Sequence, residues 1–115
     1  YMTGKWHVGE KKPDWPNQRG FDYFYGLISG ANSYYELLPN RQLIEDNEPF
    51  TPSGNYYFTD AISDKSVSYL QKNKSTGKPF FLFLSVNCQL TFVIFLFTSP
   101  PPQTALFHPP IPFYL

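Results

Sequence analysis

After Lys78 the chain carries no charged side chain. Its nine basic and nine acidic residues all stand at or before that position, and half of its twelve prolines fall between Pro100 and Pro112. A folded soluble domain scatters charge along its length, because each surface strand and loop meets water. The sequence therefore divides near residue 88 into two parts with different compositional rules. Cysteine is also scarce. The single thiol, Cys88, excludes an internal disulfide, and the two histidines, His7 and His108, lie too far apart in sequence to form a zinc spacing with it. A net charge of zero gives no sign of a nucleic-acid-binding patch or an acidic tail. No charged segment followed by an apolar core stands at the front of the chain, so no leader peptide is readable, and a start at Tyr1 gives no information on what precedes it.

What remains is room for one modest domain of 115 residues, rich in rings: 20% are aromatic, enough to fill a core or to stack on a ligand. The opening residues 1–3 (YMT), running into Gly4, read as the end of a strand. They enter a loop dense in turn formers: Pro13, Asp14, Pro16, Asn17 and Gly20. Residues 20–35 (GFDYFYGLISGANSYY) alternate glycines and aromatics, which predicts short strand pieces and turns around an aromatic cluster. Residues 43–55 (LIEDNEPFTPSGN) read as an exposed loop.

A helix is predicted from Asp60 to about Asn73. Ile62, Ser66, Tyr69 and Leu70 share a face that Phe58 extends upstream, with Val67 off it. Thr59 or Asp60 can cap its start, Lys72 and Lys74 suit its end, and Gly77 with Pro79 stop it. The uninterrupted apolar run 79–86 (PFFLFLSV) then fits a strand covered on both faces. Helix, turn and buried strand form half of a βαβ unit, so the fold class is α/β. A second apolar run, 90–98, precedes the proline-rich end. Residues 80–98 together have the length of a membrane span. Asn87, Cys88, Gln89 and Thr91 interrupt it and no basic residue flanks its far side, so a membrane helix is not the favoured reading. The proline-rich end is expected to be disordered or polyproline-like.

The chemistry sits at the other terminus. In "TGKWHVG" (3–9), Lys5 and His7 stand two apart around Trp6. If residues 4–8 are extended, Lys5 and His7 share a face while Trp6 anchors the opposite one. The loop beyond a strand's carboxyl end is where open α/β sheets bind ligands. A fixed cation beside an imidazole there suits a tetrahedral oxyanion such as sulfate or phosphate. The ammonium holds the non-bridging oxygens and the imidazole donates a hydrogen bond or moves a proton. Taken alone, a K-x-H triplet is common in surface loops.

Four blocks in order carry a larger resemblance: "GKWHVG" (4–9), "RGFDYFYGLISG" (19–30), "YYFTDAISDKSVSYLQKNK" (56–74) and "KPFFLFLSVN" (78–87). Over residues 1–88 the chain resembles the type I sulfatases of the alkaline-phosphatase-like superfamily. The resemblance implies a piece of a sandwich with a mostly parallel central sheet flanked by helices. It implies that Lys5 binds the sulfate group and that His7 hydrogen-bonds near the nucleophile. That nucleophile is a hydrated formylglycine made from the cysteine of a C-x-P-S-R motif, and a calcium ion held by Asp and Asn side chains polarises the sulfate. It further implies a sulfated small molecule or sulfated glycan as substrate, and an exported location: periplasmic, secreted or lysosomal.

The sequence departs from the family pattern in three places. It has no C-x-P-S-R, and Cys88 in "NCQL" is not the formylglycine precursor. The acidic pairs that hold calcium are absent. Gln89 and Leu90 stand where the family continues with Pro-His. The resemblance stops where the charge-free tail begins, a coincidence that a frameshift, a retained intron or an alternative gene end would explain. The expectation is thus a partial sulfatase catalytic domain (1–88) with a non-family tail (89–115), itself inactive and poorly soluble because of unpaired edges. Two alternatives stay open. One is a phosphatase or phosphodiesterase of the same superfamily. The other is a non-catalytic aromatic-rich binding protein, or one anchored through 80–98. Minor candidates are a cation site at 45–48 (EDNE), sugar stacking by the aromatics at 21–25, 34–35 and 56–58, and a glycosylation sequon at Asn73-Lys74-Ser75. His108 is given no role.

Overall fold

Adjacent residues of the first strand feed two different cores, and that alternation organises the molecule. The computed structural model describes residues 1–86 and the backbone of a further strand at 92–97. Strand β1 is Met2–Lys5, β2 Phe24–Leu27, β3 Leu43–Glu45 and β4 Glu48–Phe50. Helix α1 spans Phe58–Lys74 and is followed by β5, Phe80–Ser85, and β6, Phe92–Phe97. All six strands form one sheet in the order β4-β3-β2-β1-β5-β6. The central strand β1 is parallel to both β2 and β5, while the pairs β2–β3, β3–β4 and β5–β6 are antiparallel. This is the expected α/β class with a parallel centre, extended outward by antiparallel hairpin edges. Residues 80–98 do not form a single helix, because β5 and β6 are strands. No helix among the described residues is long and apolar enough to cross a membrane. Cys88, His108 and the expected proline-rich tail lie outside the described residues.

On one face, Leu27, Leu43, Phe58 and Ile62 form a buried cluster under α1, with Leu84 packed against it. On the other, Met2, Trp15, Phe24, Ile28 and Ile44 form a second cluster, closed by Trp6, Phe21 and Phe83. The connection from β1 to β2 covers that second face with two short 3-10 turns, Lys12–Asp14 and Pro16–Arg19. The indoles pin it: Trp6 Nε1 donates to the Asp14 carbonyl at 2.8 Å and Trp15 Nε1 to the Glu10 carbonyl at 3.0 Å.

The helix buries Phe58, Ile62, Ser66, Tyr69 and Asn73, the stripe read from the sequence carried one turn further. Where it meets β1, the Thr3 and Ser66 hydroxyls lie 2.7 Å apart, both buried. Ser66 donates its proton to the Ile62 carbonyl at 2.8 Å, so Thr3 donates to Ser66 and no buried hydroxyl there goes without a partner.

Two expectations need correction. The helix starts at Phe58 with Tyr57 as its N-cap residue and no side-chain cap, so neither Thr59 nor Asp60 caps it. Phe58 is fully buried and its N–H donates to the Tyr34 carbonyl at 2.7 Å; tertiary anchoring replaces the cap. Residues 43–50 are not an exposed loop but the β3–β4 hairpin, with Leu43 and Ile44 buried on opposite faces.

Glycine is required where the parallel strands end. Gly4, at φ 105°, stands in register with Gly26 and Ser85. A methyl on Gly4 would fall 1.7 Å from the Ser85 carbonyl oxygen, and one on Gly26 would fall 1.7 Å from that of Gly4. Only residues without Cβ let the three backbones close up here.

Candidate functional site

The carboxyl ends of β2, β1 and β5 meet along one edge of the sheet, aligned by the Gly26–Gly4–Ser85 register. Lys5 is the last residue of β1, opposite Leu27. Alternation with Thr3 directs its side chain to the helix side of the sheet. Lys5 is half-buried, and among the described residues its ammonium makes no salt bridge or hydrogen bond. Some cations are paired: Arg19 with Asp14, Lys65 with Glu45, and Lys72 over the Tyr23 ring at 3.7 Å; Lys11, Lys74 and Lys78 are exposed to water.

The parallel ladder runs on past β1. Trp6 N–H donates to the Leu27 carbonyl at 2.8 Å and His7 N–H to the Ile28 carbonyl at 3.2 Å. At His7 the backbone turns into the left-handed region, φ 55°. The extended run expected over 4–8 therefore ends at Trp6, and simple alternation does not set where the imidazole points. Trp6 does pack on the face opposite the helix, with Met2 and Trp15. A left-handed conformation costs an L-residue about 1–2 kcal/mol, and strain of this kind concentrates at functional sites. The imidazole is exposed and lies against Gly30, where an added methyl would stand 3.3 Å from Nε2.

Sequence reasoning did not single out Gly30 as the residue that makes room for His7. Its signal was the glycine ending "GLISG". Next to it Ser29 is buried, with a hydroxyl that has no hydrogen-bond partner among the described residues.

The minor candidates resolve differently. Among the described residues no group of three or more His, Cys, Asp or Glu side chains can hold a metal. The acidic run 45–48 turns the β3–β4 hairpin: Glu45 pairs with Lys65, and Asp46 Oδ1 accepts from the Phe24 N–H at 3.0 Å. These residues do not fit the calcium ion that the resemblance implies. Asn73, the sequon residue, is buried; its Nδ2 donates to the Lys78 carbonyl at 2.9 Å and its Oδ1 accepts from the Tyr1 hydroxyl at 3.1 Å. Of the aromatics, Phe24 and Phe58 are core, whereas Tyr35 and Tyr57 are exposed.

A family model described as Sulfatase matches residues 1–89. The chain belongs to the sulfatase family. Among its sulfatase relatives, arylsulfatase G of the dog, Canis lupus familiaris, is 58% identical over 114 aligned residues, covering 74% of this chain and 21% of that protein. Arylsulfatase J of the mouse, Mus musculus, is 29% identical over 99 residues, covering 74% of this chain and 16% of that protein. The sulfatase YdeN of Escherichia coli is 31% identical over 72 residues, covering 63% of this chain and 12% of that protein. This sulfatase chain thus spans between an eighth and about a fifth of the length of these relatives. Lys5, His7 and the glycines that let the strand ends close up all fall inside the matched region.

Proposed function

We propose that this chain supplies the sulfate-contacting edge of an enzyme that hydrolyses sulfate esters, with Lys5 and His7 as the contacting residues. The observation that carries the reading is the half-buried Lys5 at the carboxyl ends of the parallel strands, its ammonium without a salt bridge among the described residues. A sulfate monoester places three non-bridging oxygens where such a cation is most useful. As the S–O bond to the leaving alcohol breaks, negative charge grows on the ester oxygen, and a hydrogen bond or proton from His7 stabilises it. The left-handed backbone at His7 sets where the side chain starts, and the missing side chain of Gly30 leaves room for the imidazole.

The reaction needs a nucleophile, and the family's is a formylglycine whose motif this sequence does not contain. Turnover is therefore assigned to a longer polypeptide of the size of the relatives, and the 115-residue chain on its own is expected to be inactive. The substrate class proposed is a sulfated small molecule or glycan, and the location an exported one. A phosphatase or phosphodiesterase reading has less support, because the relatives named above are sulfatases.

The test is hydrolysis of p-nitrophenyl sulfate by a polypeptide of relative-like length that carries this segment. Lys5→Ala and His7→Ala are each expected to lower kcat/KM by about a hundredfold or more. Unchanged kcat/KM in Lys5→Ala refutes the assignment.

A further inference from the structure

The backbone at His7, left-handed at φ 55°, is held from both sides, and the two sides are held differently. Before it, the Trp6 and His7 N–H groups are bonded to the Leu27 and Ile28 carbonyls. Beyond it, two indoles fasten the chain. Trp15 Nε1 donates to the Glu10 carbonyl at 3.0 Å, and Trp6 Nε1 donates to the Asp14 carbonyl at 2.8 Å. The second bond joins residues eight apart, and His7 stands inside the loop that it closes.

Asp14 is the knot of that loop. Its N–H donates to the Lys11 carbonyl at 2.8 Å, and its carboxylate pairs with Arg19. Its side chain sits so close to Gly9 that a methyl added there would fall 2.3 Å from the Asp14 Cβ. Trp6 is fixed as well. Its ring packs against the cluster of Met2, Trp15 and Ile28, and it meets Phe21 edge-on with centroids 6.3 Å apart and planes at 86°. All of these contacts lie within this chain, so they hold whatever a longer polypeptide adds around it.

From this we infer that Trp6 and Gly9 are positioning residues for His7: the Trp6–Asp14 hydrogen bond, with Asp14 seated on Gly9, holds the loop that sets the direction of the imidazole. The inference rests on the role proposed for His7 toward the leaving oxygen. Its physical reason is the strain. An L-residue is disfavoured in the left-handed region on its own. Unless the chain beyond it is tied down, the backbone relaxes toward negative φ and swings the imidazole away from Gly30. A phenylalanine at position 6 would serve the apolar cluster equally well; the indole N–H adds the tie to the loop. Lys5 lies within β1 and is set by strand pairing, so the tie acts on His7.

The experiment uses the polypeptide of relative-like length and two substrates, phenyl sulfate and p-nitrophenyl sulfate. Phenoxide is the poorer leaving group, so its departure depends more on a hydrogen bond or proton from His7. His7→Ala is therefore expected to lower kcat more on phenyl sulfate than on p-nitrophenyl sulfate. Trp6→Phe removes the indole N–H and keeps a ring; Gly9→Ala pushes Asp14 away and leaves the ring untouched. Each should lower kcat on phenyl sulfate about fivefold or more beyond its effect on p-nitrophenyl sulfate. Neither should lower it further in a His7→Ala background. A purely structural role removes active molecules and slows both substrates alike. Equal slowing of the two substrates, or a full loss added on top of His7→Ala, therefore overturns the inference. Gly9→Ala decides alone where Trp6→Phe does not fold, because it acts on the same bond from the other end. If His7→Ala itself shows no preference between the substrates, the role of His7 fails and the inference falls with it. A preference in His7→Ala that the two variants lack overturns the inference alone.

Discussion

Replacing His7 by glycine and, separately, by alanine tests whether the strained backbone belongs to the fold or to the imidazole. Both variants remove the exposed ring and its contact with Gly30, so they share that loss. They differ in the backbone, which is held at φ 55° by the His7 N–H bond to the Ile28 carbonyl. Alanine keeps the left-handed cost of about 1–2 kcal/mol that glycine escapes. Glycine in turn loses about 0.4–1 kcal/mol through the greater freedom of the unfolded chain. The balance favours His7→Gly over His7→Ala by about 0.5–1 kcal/mol. At an ordinary loop position with negative φ the order is reversed, so the sign alone decides. Urea unfolding of the two variants side by side gives the difference, and thermal unfolding should place the glycine variant higher by on the order of 4 °C. Neither variant should retain His7-dependent chemistry, which would make the glycine variant more stable and less active at once. An alanine variant as stable as the glycine variant, or more so, would falsify the claim that the fold imposes strain at His7.

Three further predictions follow from buried groups. Asn73→Ala leaves the Lys78 carbonyl and the Tyr1 hydroxyl without their partner, and should destabilise by about 1–3 kcal/mol in urea unfolding. For the same reason the Asn73-Lys74-Ser75 sequon should carry no glycan in folded protein secreted from eukaryotic cells; an endoglycosidase-sensitive mass shift in that material would contradict the structure. Tyr25, Tyr56 and Tyr69 have phenol pKa values pushed up, first of all by burial, with the Tyr25 and Tyr56 hydroxyls 3.2 Å apart. Their folded values lie above the unfolded value near 10. The stability they contribute by staying neutral is therefore complete below about pH 10 and lost as pH rises through the folded values. Tyrosinate absorbance should then rise together with unfolding, and early ionisation of these three rings in a still-folded chain would refute the burial argument.

Much of the fold was legible in local pattern. The stripe Phe58, Ile62, Ser66 and Tyr69 reports burial through periodicity, and the structure buries it. The unbroken apolar run gave the strand β5 but not the cover on both faces that it predicts: only Leu82 and Ser85 are buried, and Phe81 is exposed. The β3–β4 hairpin was not legible. Three-residue strands are too short to show a period, and the acidic turn between them looks like any solvated loop. The missing side-chain cap on α1 was hidden for a related reason: a contact between Phe58 and Tyr34, distant in sequence, fixes the first turn.

The candidate site divides in the same way. Sequence alone determined its membership, because Lys5, Trp6 and His7 sit in one block whose residue types already suit an oxyanion, and it determined that Trp6 would be the anchor. Tertiary structure decided the geometry. Backbone bonds to the β2 side continue two residues past β1 to His7, where the chain turns left-handed, while Gly30, far along the chain, leaves space for its ring. The same holds for Asn73, a sequon by composition and a structural tie by position. Residue type sets what a side chain can do; only the backbone pairing and packing around it decide which of those roles remains available.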